Sequence, residues 1–208
     1  MTDLVLLLRD DGPLARALGS TLGRAVAVPP LLLVLAGLVP LLAVAAIGGG
    51  DVSLPAAAAV LAWALLTVGA SRGRPGAERS RWAQPPLVRA TEYGGLIWIA
   101  ALEGPAAYPA AFALLAALTF RHYDLAYRPR QLGTEPAAWV NALSGGWDGR
   151  LVAGFVLLAA GALPTGFFVA AAVLGAAFVA ESVAAWLIHG RDPLPLGMAD
   201  DGEEEDAA

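Results

Sequence analysis

The chain has 208 residues, 58% of them hydrophobic, and a mean hydropathy of +0.64, which are values typical of integral membrane proteins rather than soluble domains. Its formal net charge is -5, but all 13 basic residues are Arg, and their thin spread along the chain argues against nucleic-acid binding. The absence of Cys excludes disulfides, thiolate metal sites and cysteine nucleophiles.

The N-terminal segment, residues 1–24, has apolar residues at roughly helical spacing between Leu4 and Leu22. This spacing predicts an amphipathic helix at the membrane interface, interrupted near Gly12 and Pro13. The first apolar stretch is too short for a cleavable signal peptide. We therefore expect insertion to begin with the next apolar run.

Two uncharged runs follow, and each is long enough to cross a bilayer. A hydrocarbon core of about 30 Å requires roughly 20 helical residues. Residues 25–47 and 52–70 meet this requirement, and a Gly-rich turn at 48–51 joins them. Pro40 lies within the first run and predicts a kink.

Two further apolar runs, residues 87–120 and 151–188, are too long for single transmembrane helices. A hairpin accommodates each run better, with turns at residues 103–105 and 164–166. The sequence therefore predicts an all-α polytopic membrane protein. We expect six transmembrane helices, arranged as three hairpins, after an N-terminal interfacial helix.

The arginines give the orientation of this topology, because they avoid all three short turns. Basic residues near span ends remain in the cytoplasm, so both termini are predicted to be cytoplasmic. We expect a cytoplasmic or interfacial segment at 1–24, a transmembrane domain at 25–190 and a disordered acidic tail at 191–208. The connector 121–150 should be irregular, with a short surface helix around Trp139.

Charges within the predicted spans are few, and such residues usually face protein or water. Arg89 and Glu92 in the third span are three residues apart, so they share a helical face and could pair. Glu181 lies in the sixth span among apolar residues, where a lone carboxylate should be protonated or paired. Glu181 is either a structural hydrogen-bonding partner or part of a functional site.

Further ionisable and aromatic residues gather at the inner ends of spans four and five. They are Arg121, His122, Tyr123, Asp124, Tyr127, Arg128, Trp147, Asp148 and Arg150. With Arg89, Glu92 and Glu181 they are expected to form one polar layer near the cytosolic headgroups. This layer could hold a lipid phosphate, lock the bundle through salt bridges, or dock another membrane protein. No metal and no cofactor is expected.

One short motif is shared with a known enzyme class. Residues 11–16 spell DGxxAR, a fragment of the signature of CDP-alcohol phosphatidyltransferases, which use four Asp residues on neighbouring helices to hold divalent metals. The other Asp positions are missing, because Leu8 stands three residues before Asp11 and no Asp occurs between residues 20 and 50. The fragment therefore does not predict transferase activity.

Five stretches resemble a bacterial membrane domain of unknown function. They are RDDGPLARALGSTLGR (9–24), PPLVRATEYG (85–94), FRHYDLAYRPRQ (120–131), GGWDGRLV (145–152) and the ES pair at Glu181 and Ser182. That domain commonly occurs C-terminal to a CDP-alcohol phosphatidyltransferase domain in larger fused proteins. The resemblance implies a bacterial cell membrane and a setting related to phospholipids, and it brings no established catalytic residues.

The leading hypothesis is a non-catalytic integral membrane protein. It would bind the lipid bilayer, anionic phospholipid headgroups or a CDP-alcohol phosphatidyltransferase through its cytosolic polar layer. The alternative is an enzyme that acts on a phospholipid or polyprenyl phosphate, with Asp124, His122 or Glu181 as acid or base. A third hypothesis is a small proton-coupled transporter that uses Glu181.

Overall fold

A computed structural model describes residues 4–48, 51–73 and 81–189 of the chain. Helices dominate these ranges and no strand occurs in them, which confirms the predicted all-α class. The acidic tail expected at 191–208 lies outside the described residues, as do Arg74 and Arg79.

The α-helices of the described ranges are numbered in chain order. They are α1 (Leu4–Arg9), α2 (Pro13–Ser20), α3 (Leu22–Ala25), α4 (Pro30–Gly48), α5 (Leu54–Ala70), α6 (Gln84–Glu103), α7 (Tyr108–Gln131), α8 (Ala138–Ser144), α9 (Gly146–Ala159) and α10 (Leu163–His189). Single 3-10 turns, Ser71–Gly73 and Pro105–Ala107, follow α5 and precede α7.

Among consecutive helices, α4 packs against α5, α6 against α7, and α9 against α10. Gly104 follows α6 at φ 114 and Gly161 precedes α10 at φ 65, both in the left-handed region that favours glycine. The second turn falls earlier than predicted, because Pro164 belongs to the first turn of α10, where proline is well tolerated. The most extensive packing joins α7 to α10, and α6 contacts both α4 and α9.

Three helical segments are long and apolar enough to cross a membrane: Pro30–Ile47, Leu54–Gly73 and Leu163–Ile188. The other long helices differ, since α6 and α7 carry charged residues and α9 has only 14 residues. The described residues therefore contain three candidate spans, as suits a membrane protein, against the six expected from the sequence.

The connector 121–150 is more regular than predicted. α7 continues through Pro129 to Gln131, and α8 forms around the expected Trp139. A proline removes one backbone hydrogen bond from a helix interior. Asp124 and Arg128 pair one turn apart on the same helix, immediately before this proline.

The N-terminal segment breaks where the sequence predicts, between α1 and α2. Asp10 lies in the break at φ 49, and Gly12 precedes α2. The segment packs against α5 and α6, and it buries Arg9 and Ala15 completely. The charged side chain of Arg9 is thus part of the bundle interior.

Apolar side chains fill the interior and also cover the outside of the bundle. Trp98, Leu96 and Phe167 are at most 1% exposed. On the outer faces, Ile47 is 88% exposed and Leu187 is 62% exposed. Extended apolar surface of this kind is unfavourable in water and suits contact with acyl chains.

Candidate functional site

Ionisable side chains from the N-terminal segment and from α6, α7, α9 and α10 meet in the bundle interior. The most deeply buried are Arg9, Glu92, Arg121, Arg128 and Asp148, each at most 1% exposed. Their contacts divide them into three groups, which we name the central cluster, the Arg128 cluster and the N-terminal anchor.

The central cluster comprises Asp10, Arg89, Glu92, His122 and Arg150. Arg150 donates from Nε to Glu92 Oε1 at 2.6 Å and from Nη2 to Asp10 Oδ2 at 2.8 Å. Its Nη1 donates to the carbonyl oxygen of Ser144 at 3.1 Å. A single guanidinium therefore joins α9 to α6, to α8 and to the N-terminal segment.

The predicted pair between Arg89 and Glu92 is present, with Arg89 Nη1 donating to Glu92 Oε2 at 3.0 Å. Arg89 Nη2 also donates to the backbone carbonyl of Leu8. Each carboxylate oxygen of Glu92 is thus bound by a different arginine. This pairing matters because Glu92 is fully buried, where an unpaired carboxylate would be strongly unfavourable.

Asp10 supplies the second negative charge of the central cluster. Burial opposes its ionisation, but the guanidinium of Arg150, aided by His122, Arg89 and Arg121, outweighs burial and holds the pKa of Asp10 well below its usual range. Two carboxylates then face two guanidiniums. The cluster is electrically balanced when His122 is neutral.

His122 lies at the edge of the central cluster and has one well-defined partner. Its Nδ1 is 2.7 Å from the hydroxyl oxygen of Tyr93, and the two rings stack with centroids 5.6 Å apart. The Nε2 atom is 3.7 Å from Asp10 Oδ2 and from Glu92 Oε2, and it is buried without a hydrogen bond. His122 Nε2 therefore lies near both carboxylates but forms no hydrogen bond with either.

The Arg128 cluster comprises Asp124, Arg128, Glu181 and Ser182. Arg128 donates from Nη1 and Nη2 to the two carboxylate oxygens of Glu181, at 2.5 and 2.6 Å, in a bidentate pair. Its Nε donates to Asp124 Oδ1 at 3.1 Å, and Ser182 donates to the same oxygen at 3.0 Å. The amide of Ala137 donates to Glu181 Oε1 at 3.1 Å. Of the two roles expected for Glu181, this geometry favours the structural one.

Arg121 lies on α7 beside the two carboxylate clusters, and its contacts are with uncharged groups. Its Nη2 donates to Asn141 Oδ1 on α8, and its guanidinium lies 5.4 Å from the centroid of the Phe178 ring. Its Nε is buried without a hydrogen bond. Arg121 thus ties α7 to α8 and α10 without sharing a carboxylate.

The N-terminal anchor comprises Arg9, Asp11, Gly12, Trp147 and Asp148. Asp148 accepts hydrogen bonds from the amides of Gly12 at 2.5 Å, Leu14 at 2.9 Å and Ala15 at 3.1 Å. These amides belong to the start of α2, so a carboxylate from α9 caps a helix far away in the sequence. A carboxylate there also interacts favourably with the positive end of the helix dipole.

The second half of the N-terminal anchor is built on Asp11. Arg9 donates from Nε to Asp11 Oδ2 at 2.9 Å, and the indole nitrogen of Trp147 donates to Asp11 Oδ1 at 2.8 Å. Arg9 Nη1 also donates to Ser71 Oγ at 3.1 Å and to Gln84 Oε1 at 3.0 Å. Arg9 therefore connects the N-terminal segment to the end of α5 and the start of α6.

The sequence-predicted site residues are distributed over these groups. Arg89, Glu92, His122 and Arg150 meet in the central cluster; Asp124, Arg128 and Glu181 meet in the Arg128 cluster; Trp147 and Asp148 belong to the N-terminal anchor. Arg121 lies beside them. Tyr123 and Tyr127 stack with ring centroids 4.3 Å apart and are exposed, outside the clusters.

Sequence reasoning missed Arg9, Asp10 and Asp11 as members of these clusters. The signal available was a run of three adjacent charges inside an otherwise apolar, helix-spaced segment. Adjacent charges in such a segment are compatible with solvent exposure, and their partners lie on distant helices. Only the tertiary structure shows that they are buried and paired.

Two open cavities on the described part of the chain differ in character. The first, which we name the apolar groove, has a volume of about 520 Å³ and runs between α7, α8, α9 and α10, with Gly149 and Gly154 among its lining residues. The second has a volume of about 230 Å³ and lies between α1, α2, α3 and the turn after α5. Within the described ranges, no group of three or more His, Asp or Glu side chains could hold a metal ion.

The sequence matches a family described as a family of unknown function, DUF5941, over residues 2–203. The chain belongs to the DUF5941 family. This match covers the N-terminal segment as well as the helical bundle, so the N-terminal anchor is made entirely of residues within the family's extent. No curated protein and no solved structure matches the chain.

Proposed function

We propose that this DUF5941 protein is a six-pass, non-catalytic protein of the bacterial cell membrane, with cytoplasmic termini, that binds phospholipid. The observation that carries the lipid-binding proposal is the apolar groove, because the buried charged clusters are internally paired and leave little capacity for a ligand. The fusion of related domains to CDP-alcohol phosphatidyltransferases, implied by the sequence resemblance, agrees with a phospholipid setting.

The distribution of polar residues on α6, α7 and α9 supports six spans. Glu92 of α6 is fully buried, whereas Ile97 of the same helix is 40% exposed. Phe112 of α7 is 62% exposed and Val156 of α9 is 58% exposed. Helices that turn charged residues inward and apolar residues outward suit a lipid environment, where intramembrane charges face the protein.

Cysteine labelling distinguishes six spans from three. Glu103 and Glu135 are both exposed, and the chain lacks Cys, so each can be replaced singly by Cys. With six spans, a membrane-impermeant maleimide added to intact cells should label Glu103→Cys and not Glu135→Cys. With only the three candidate spans crossing, both positions would lie on the same side. Equal labelling of the two variants would therefore reject the six-span proposal.

The apolar groove has the shape and lining expected for an acyl chain. Its volume of about 520 Å³ lies within the usual range of ligand cavities, and most of its lining side chains are apolar. Val169 and Val173 line it and are 57% and 50% exposed, so the groove is continuous with the apolar outer face of α10. A phospholipid acyl chain can therefore enter from the bilayer.

The groove can be filled without disturbing the fold at Gly149. A Cβ atom added there would meet no heavy atom within 4 Å, so Gly149→Leu should fold normally and occupy the groove. We expect this variant to lose most of its co-purified phospholipid, as measured by native mass spectrometry. Ala159→Leu, at an exposed position of α9 outside the groove, is the matched control and should retain lipid. Equal lipid content in the two variants would contradict groove binding.

Internal pairing of the charged side chains supports the absence of catalysis. Asp124 and Glu181 are both bound by Arg128, and His122 stacks on Tyr93. An acid or base needs a ligand within hydrogen-bond reach. The apolar groove, where we place the ligand, is lined by none of Asp124, His122 or Glu181.

Association with a CDP-alcohol phosphatidyltransferase is a separate proposal, which rests on the resemblance. The exposed aromatic pair Tyr123 and Tyr127, at the end of α7, is the surface we assign to such a partner. Aromatic residues are enriched at the centres of protein interfaces.

A further inference from the structure

The smaller cavity of the N-terminal segment, which we name the basic pocket, is lined by three arginines. Arg16 and Ser20 come from α2, Arg24 from α3, and Arg72 from the turn after α5. The described residues that line the pocket include no Asp or Glu. A concave site of about 230 Å³ with this lining attracts a small anion.

Two glycines fix the geometry of the basic pocket. A Cβ atom on Gly73 would lie 2.0 Å from the carbonyl oxygen of Gly19, and a Cβ on Gly19 would lie 2.9 Å from Cβ of Arg72. The backbone of α2 therefore lies directly against the turn after α5. Arg16 and Arg72 both line the opening beside this contact.

The charge of the basic pocket is less balanced than that of the central cluster. Arg72 Nε lies 3.2 Å from Asp11 Oδ2, but it is buried without a hydrogen bond, and the same oxygen accepts from Arg9. Arg16 Nε donates to the backbone carbonyl of Gly12 at 3.1 Å, which is a neutral group. One carboxylate is thus shared by two guanidiniums, and Arg16 adds a positive charge.

We propose that the basic pocket binds a phosphate group, held by the guanidiniums of Arg16 and Arg72. Guanidiniums form strong, charge-assisted hydrogen bonds with phosphate oxygens. The phosphate can come from the headgroup of an anionic phospholipid or from a free phosphate ion. The pocket lies beside the end of α5, a candidate span, and therefore at a position accessible to headgroups. It is separate from the apolar groove and does not depend on it.

The test uses the full chain in neutral detergent, with inorganic phosphate as the first probe, and phosphatidylcholine vesicles with and without phosphatidic acid as the second. Arg16→Gln should reduce affinity by about tenfold, as expected for one lost charge-assisted contact, and adding Arg72→Gln should reduce it further. Arg130→Gln is the matched control. Arg130 is also an exposed arginine that donates to the carbonyl four residues earlier, but it does not line the pocket.

The outcomes separate the two phosphate sources and the competing explanation. Calorimetric binding of inorganic phosphate that Arg16→Gln weakens supports a pocket for phosphate of either origin. A response seen only with phosphatidic acid vesicles supports the pocket and assigns it to headgroups. If Arg16→Gln binds both probes as Arg130→Gln does, the proposal is overturned.

Gly149→Leu should retain phosphate binding, so failure of the groove proposal and failure of this one remain distinguishable. Because Arg72 contacts Asp11, the conclusion rests on Arg16→Gln, with thermal unfolding recorded for each variant.

Discussion

Arg150→Met is expected to lower the free energy of unfolding by about 3–5 kcal/mol, the usual effect of removing one partner from a buried ion pair. Without the guanidinium, Asp10 loses its hydrogen-bonded partner, and one oxygen of Glu92 is left unpaired in the bundle interior. The carbonyl of Ser144 also loses its donor. Thermal unfolding in a single neutral detergent, monitored by circular dichroism, measures the change.

Two companion variants show whether the effect of Arg150→Met comes from uncompensated charge. Arg130→Met changes an exposed arginine and should stay within about 0.5 kcal/mol of the parent protein. Adding Asp10→Asn to Arg150→Met leaves one carboxylate, Glu92, paired with one guanidinium, Arg89, and should recover part of the loss. An unfolding curve for Arg150→Met that overlays that of Arg130→Met would show that the central cluster does not stabilise the bundle.

Gly146→Ala is expected to destabilise the protein by about 3 kcal/mol, through steric overlap and backbone strain together. The added Cβ would lie 2.1 Å from the amide nitrogen of Gly12 and 2.3 Å from its Cα, and Gly146 has φ 71. Because the obstructing atoms are backbone, the start of α2 must move away from Asp148. Hydrogen exchange at Gly12, Leu14 and Ala15 should then accelerate more than exchange within α7.

Substitutions at two other glycines separate the effect of steric overlap from the effect of backbone strain. Gly133→Ala introduces a side chain at φ 65 with nothing within 4 Å, so it reports strain alone, expected to be about 1 kcal/mol. Gly149→Ala meets no atom within 4 Å and lies within α9, so it should be neutral or slightly stabilising. If Gly146→Ala were no worse than Gly133→Ala, the close contact with Gly12 would be unimportant.

Local rules of the sequence predicted the parts of this structure that depend on neighbouring residues. The pairing of Arg89 with Glu92 follows from their helical spacing, and it is present. The turn at Gly104 follows from the excess length of an apolar run and a Gly-Pro pair. Each of these inferences required only the residues within a few turns of one helix.

The contacts between distant segments could not be predicted in this way. Arg128 binds Glu181 from another helix, and Asp148 binds the amide of Gly12 at a separation of 136 residues. A periodic pattern identifies the buried face of a helix without naming its partner. The positive-inside rule counts arginines near span ends, and it does not predict whether those arginines are solvated or paired. Arg9 and Arg128 satisfy that count, yet both are buried in ion pairs.

The capping of α2 by Asp148 limits when the contacts of the N-terminal segment can form during synthesis. The N-terminal segment is synthesised first, but the carboxylate that caps it and the arginine that neutralises Asp10 both emerge more than a hundred residues later. Until α9 is made, Asp10 lacks the arginine that binds it, and the first amides of α2 lack their carboxylate cap. The N-terminal segment therefore obtains its complete set of contacts only after α9, far later in the sequence, has been made.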